Sequence, residues 1–175
     1  EPDLAGCVAC VRTNGSRLDP ALSVTELRRR SAALLGAAEN VAVASTDAAA
    51  RMRRHFPALR SALSSPGDDD APGDIRPPPR GRTRHVAVIG AIGAEKGFAV
   101  LLQTLRDAAA RELPLRFTLI GHSIDDAALL ETRKIFITGP YRPDEADALI
   151  RAQQADLAFL PSLVPETWCH ALTEA

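Results

Sequence analysis

The sequence predicts an α/β fold: a Rossmann-like parallel sheet with helices on both of its faces. Three observations carry this. From residue 85 onward, short apolar runs alternate with amphipathic stretches in a regular strand–helix rhythm. The runs HVAVIG, RFTLIGH, IFITG and LAFLP are near-continuously apolar, as strands covered on two sides must be. Three of the four are followed by a stretch that begins with glycine, where the backbone can approach a ligand closely.

Taken in chain order, residues 23–39 (SVTELRRRSAALLGAAE) read as an amphipathic helix. Leu27, Leu34 and Leu35 supply its apolar face, and Ser23 or Thr25 caps it. VAVAS, 41–45, is a short buried-type strand. TDAAARMRRHF, 46–56, is a second helix with Thr46 or Asp47 at its N-cap and Pro57 ending it. The span 57–84 then holds six prolines and an acidic run at 68–70, with little apolar periodicity. A structureless stretch that long belongs between domains. The expected organisation is therefore a tail of one α/β domain at 1–56, a linker at 57–84 and a second domain at 85–175.

In that second domain the strands are expected at 85–90, 116–122, 135–139 and 157–161. Helices are expected at 96–112, 124–133 and 143–154, and a further helix near Glu166 or Thr167. The chain opens on Glu1 and ends one residue past a motif, which suggests a piece of a longer protein.

Composition narrows the function classes. A formal net charge of -1 argues against nucleic acid as a partner, and 4% aromatics are too few for a base-stacking surface. Three cysteines are an odd number for a disulfide framework, so a reducing, cytoplasmic setting is expected. No apolar run approaches the roughly 18 residues of a membrane span.

In an open parallel sheet, ligands bind beyond the carboxyl ends of the strands, where strand order reverses. GAIGAEKG, GHS, GPYR and PSLVPET occupy that edge. The first of these fails two phosphate-loop patterns. Gly90, Gly93 and Gly97 do not make G-x-G-x-x-G, and Gly121, His122 and Ser123 stand where a dinucleotide site needs an acid. Lys96 precedes its glycine instead of following it, so the ATPase pattern fails as well. What remains is a lysine at the start of a helix, one of only two in the chain (Lys96 and Lys134), at a place that favours anions.

PETWCHALTEA, 165–175, places Glu166 and Glu174 eight positions apart. In continuous helix that is a rise of about 12 Å and a turn of roughly 80°. The separation is too large for one metal ion and suits the two ends of an elongated ligand. The first amides of that helix would add a second anion site.

These residues carry a resemblance. P-E-T followed by a second Glu-Ala resembles the E-x7-E motif of the group 1 (family four) retaining glycosyltransferases, enzymes of GT-B architecture. V-I-G and K-G within 88–97, L-I-G at 119–121, I-T-G at 137–139 and A-D-L-A-F-L-P-S at 155–162 agree in order and spacing. The resemblance covers 85–175, with a weaker match to the acceptor-side domain before it.

The resemblance implies transfer of a sugar from a nucleotide-diphosphate sugar to a glycan or lipid-linked acceptor, with retention, without metal and without a cofactor. It implies that Glu166 binds donor-sugar hydroxyls, Glu174 the ribose, and Lys96 the diphosphate. The backbone of Thr167, Trp168, Cys169 and His170 would line the phosphates. Gly90 belongs to the same edge, and the segment from Gly139 to Tyr141 would flank the base. One departure stands out: the family has an arginine where this chain has Ala91, so half of the phosphate clamp is missing.

Two other readings compete. One is a nucleotide-binding Rossmann-like domain without catalysis. The other is an NAD-dependent dehydrogenase domain, which the glycine spacing opposes. Cys7 and Cys10 form C-x-x-C, half of a zinc pattern without a second pair, and read as ordinary thiols. The clusters Arg28–Arg30 and Arg51, Arg53, Arg54 fit either a solvated helix face or peripheral contact with the inner face of a membrane.

Overall fold

The computed structural model describes residues 3–16, 22–64 and 83–174. The chain divides into two compact units, Glu1–Pro66 and Gly67–Ala175, each described separately below.

In the first unit, α1 (Leu4–Asn14) is capped by Asp3, whose carboxylate accepts from the Gly6 amide at 2.7 Å. This helix was not expected; Leu4, Cys7, Val8 and Val11 recur at helical spacing, but Ala5, Ala9 and Cys10 make the other faces apolar as well. Helix α2 (Val24–Ala37) is capped by Ser23, which accepts from the Glu26 amide. Helix α3 (Thr46–His55) is capped by Ser45, one residue before the expected Thr46 or Asp47. It joins β1 (Ala42–Val43) to β2 (Ala62–Leu63), which pair in parallel. Val43, Ala48 and Ala49 are buried where helix and strand meet.

Strand β2 corrects the linker expectation, since part of 57–84 is sheet. The two residues of β2 are stabilised by backbone bonds from Ala62 to Val41 and from Ser64 to Val43, a pairing with no local sequence signature. The acidic run 68–70 lies outside the described residues.

The second unit is a four-stranded parallel sheet ordered β5-β4-β3-β6. Its elements are β3 (Arg84–Ile92), α4 (Phe98–Ala110), β4 (Leu115–Ser123), α5 (Asp126–Leu130) and β5 (Ile135–Ile137). A 3-10 turn (Pro143–Glu145), α6 (Ala146–Gln153), β6 (Leu157–Ala158) and α7 (His170–Glu174) follow. Both faces of the sheet are covered. Val86, Val88, Phe117, Leu119 and Ile135 pack under Leu101, Leu105 and Ala108 of α4 and Leu129 of α5. On the other side Ala87, Ile89 and Ile120 meet Leu149 and Ile150 of α6 and Ala171 of α7. Val88, Leu101, Leu105, Leu119, Ile120 and Leu129 are completely buried, each worth roughly 1.5–3 kcal/mol of transfer free energy.

Several ends differ from expectation. Strands β3 and β4 continue to Ile92 and Ser123, because the pair keeps its register to that point. Helix α5 ends at Leu130 and β6 at Ala158, both short of the expected ends. The last helix begins at His170, not near Glu166. Thr167 and Trp168 are poor helix formers, and Pro165 holds the preceding residue extended.

Candidate functional site

The chain runs outward from β3 through β4 to β5, then crosses back to place β6 on the opposite side of β3. Strand order therefore reverses between β3 and β6, where an open parallel sheet has its crevice. Strand β6 follows β3 only at Val86–Leu157 and Ala87–Ala158, with one further bond from the Phe159 amide to the Ala87 carbonyl. Beyond that, β3 continues to Ile92 while the other chain diverges towards Glu166.

Two loops meet again above this gap. The Leu163 amide donates to the Glu95 carbonyl at 3.0 Å. Gly97 adopts φ +81°, and a Cβ placed there would lie 2.0 Å from the Pro161 carbonyl oxygen. Only glycine permits so close a crossing, and with it the loop carries Lys96 to Glu166. Lys96 Nζ lies 2.6 Å from Glu166 Oε1, with side-chain exposures of 49% and 18%. Two of the residues singled out in the sequence thus meet at the reversal point.

The Lys96 ammonium holds the Glu166 carboxyl below the usual carboxylate range. Burial opposes the shift, while the Ser162 hydroxyl, and more weakly the charge of His170, reinforce it. The carboxylate is therefore ionised at neutral pH and can accept hydrogen bonds. Lys96 keeps half of its surface open to solvent and can offer donors elsewhere.

The other candidate residues are distributed along the same edge. Gly90 and Gly121 are paired residues of β3 and β4 with φ +110° and +131°. A Cβ on Gly121 would meet the Gly90 carbonyl at 2.2 Å, so these glycines let two strands approach each other. Gly139, at φ +84°, has open space where a Cβ would stand. Tyr141 packs on Ala87, Ile89 and Ile120, so part of its ring belongs to the core.

Thr167, Trp168 and Cys169 lie in irregular chain before α7, and Cys169 accepts the Leu172 amide at 3.0 Å. The Trp168 indole Nε1 is buried and has no hydrogen-bond partner. The Glu174 side chain lies outside the described residues.

Two expectations are corrected here. Glu166 and Glu174 are not on one continuous helix, so the rise of about 12 Å and turn of roughly 80° do not apply. Helix α7 has five residues, too short for its amides to form the anion site expected of a longer helix. At the start of α4, the Gly97 and Phe98 amides already donate to the Ala94 and Gly93 carbonyls. These two amides are therefore not open to an anion, whereas the Lys96 ammonium is.

Among the described residues, no group of three or more His, Cys, Asp or Glu side chains could hold a metal ion, and no helix is long and apolar enough to cross a membrane. Cys7, Cys10 and Cys169 form no disulfide with one another. Arg29 and Arg30 share Glu26, and Arg51 pairs with Asp47, so each of α2 and α3 keeps an excess of basic charge.

No family model and no curated protein matches the chain. Its fold is similar to that of a single-residue mutant of S. aureus TarM, solved in complex with fondaparinux, α-GlcNAc-glycerol and UDP. The TM-score is 0.56 at 12% identity, over 91% of this chain and 32% of that one. A second TarM crystal structure aligns with a TM-score of 0.48 at 12% identity, over 74% of this chain and 27% of that one. The chain spans about a third of the length of the first of these structures. At such identity the likeness establishes the α/β, Rossmann-like fold.

Proposed function

We propose that the second unit is the donor-sugar domain of a glycosyltransferase, and that the crevice between β3 and β6 receives a nucleotide-diphosphate sugar. The observation that carries this reading is the Lys96–Glu166 pair at the strand-order reversal. A cation suited to a diphosphate and an ionised carboxylate suited to sugar hydroxyls stand side by side there. The similar structure holds UDP together with a glycoside, the two kinds of molecule that sugar transfer from a nucleotide sugar leaves behind.

In this reading the donor's diphosphate takes Lys96 from Glu166. The ammonium meets charge that develops on the leaving group, and the released carboxylate accepts hydrogen bonds from the sugar. Fixed cations supply the electrostatic stabilisation, so neither a metal ion nor a cofactor is invoked. Ala91 contributes no charge, which leaves Lys96 with the larger share of the diphosphate. Glu174, by the resemblance, would accept from the ribose. Retention of configuration and a glycan or lipid-linked acceptor belong to the same proposal. A nucleotide-binding domain without catalysis shares the fold and lacks the turnover.

The test is sugar transfer by the full-length protein. Glu166→Gln and Lys96→Gln should each lower kcat/KM by about 100-fold or more, equivalent to roughly 2.7 kcal/mol. Rates within about twofold of the unmodified protein in both variants would overturn the assignment.

A further inference from the structure

A second cluster of charge lies at the opposite, amino-terminal end of the sheet. His85 of β3 and Arg116 of β4 are register partners. Phe117 pairs with Ile135, and its amide bonds to the Lys134 carbonyl, which places Lys134 one step before that pair, alongside Arg116. Three basic residues thus form one lateral row across neighbouring strands, which are spaced about 4.8 Å apart. Arg133, in a left-handed conformation at φ 55°, precedes Lys134.

All four line a depression of about 370 Å³, together with Phe117, Thr118, Ile135, Phe136 and Gln153. None of these lining residues is acidic, although the Asp156 carboxylate accepts from the His85 amide at 2.9 Å. Phe136 is 62% exposed and offers an apolar side.

Arg116 beside Lys134 is unfavourable by itself, because like charges on neighbouring strands repel. Neither Arg116 nor Arg133 has an ion pair among the described residues, and both are exposed. Lys134 Nζ donates to the Leu113 carbonyl at 2.8 Å, which leaves its other donors.

His85 is 6% exposed, and its Nε2 lies 2.8 Å from Thr118 Oγ1. Its Nδ1 is buried without a hydrogen bond of ordinary geometry, although the Gln153 carbonyl faces the ring. Burial, and then the charge of Arg116, lower the affinity of His85 for a proton and favour the neutral ring. When the Thr118 hydroxyl donates to Nε2, the other ring nitrogen carries its proton on the side of the Gln153 carbonyl.

We propose that this depression is a second anion site, separate from the β3–β6 crevice, that takes a phosphate-bearing small molecule. Arg116, Arg133 and Lys134 match a multiply charged phosphate, with the His85 ring at the buried side and Phe136 beside it. The depression, about 370 Å³ and open on its outer side, has room for a phosphate-sized ligand. The site does not depend on the donor reading, since it lies at the other end of the strands.

The experiment is calorimetric titration of the full-length protein with inorganic pyrophosphate, at ionic strength matched with sodium chloride. It is run in a Lys96→Gln background to silence the other crevice. Saturable binding is expected there, with a Kd raised at least tenfold by adding Arg116→Gln and Arg133→Gln. Both arginines are exposed, so these variants retain the fold, which circular dichroism checks. Absence of saturable binding in the Lys96→Gln background would overturn the proposal, as would binding that the two arginine changes leave intact. Arginine-dependent capture on phosphatidylglycerol vesicles without pyrophosphate binding would overturn it too.

Discussion

At the scale of single residues, the site depends on Gly97. A methyl group there would strike the Pro161 carbonyl, and φ +81° is itself strained for any other residue. Gly97→Ala is expected to destabilise the second unit by at least about 2 kcal/mol, measured by urea denaturation. The ion pair it supports should contribute far less, below about 1 kcal/mol, because half of Lys96 is solvated.

The sign of its pH dependence follows from the direction of the shift. The carboxyl of Glu166 titrates lower in the folded protein than in the unfolded chain. Its stabilisation is therefore fully present above the ordinary glutamate value of about 4.3 and is lost as the pH falls through the folded value. The stability gap between the unmodified protein and Glu166→Gln should narrow as pH drops below about 4. Denaturation midpoints that keep the gap constant down to pH 3 would contradict that. Lys96 and Glu166 could be picked out from motif spacing; their contact could not, since it depends on how two loops 70 residues apart cross.

At the scale of elements, burial on two faces explains why β3 and β4 were legible, whereas the edge strands β5 and β6 keep exposed residues. A strand covered on both sides must be apolar throughout, and VAVI and TLI announce that without any periodicity. The same logic predicts where substitution is costly. Leu105→Ala, from a fully buried position on α4, should cost about 2–5 kcal/mol, while Leu172→Ala on the exposed side of α7 should stay within about 0.5 kcal/mol. Thermal or chemical unfolding of the two variants checks the contrast.

Less was legible where an element owes its existence to its surroundings. Strand β2 has two exposed residues and forms by pairing with β1, so nothing in its own composition marks it. Helix α1 is apolar on most faces, which blurs the stripe of Leu4, Cys7, Val8 and Val11, though Asp3 three residues before Gly6 was a usable capping signal. Helix α7 was placed too early because a proline followed by a glutamate resembles a helix start. Trp168 is held instead in irregular chain with its indole nitrogen buried.

At the scale of the whole molecule, the parallel strands of the second unit set two opposite edges apart, and their order β5-β4-β3-β6 fixes where the reversal falls. The carboxyl edge carries the Lys96–Glu166 pair at the reversal, and the amino edge carries the basic row of His85, Arg116 and Lys134. The fold class was readable from alternation alone, whereas the reversal point needed the order of strands, which alternation does not specify. The central claim is that the β3–β6 crevice holds a nucleoside diphosphate through Lys96. Calorimetric titration of UDP into the full-length protein and into its Lys96→Gln variant tests it most directly. A Kd at least tenfold weaker in the variant is expected, and equal affinity in the two proteins would contradict it.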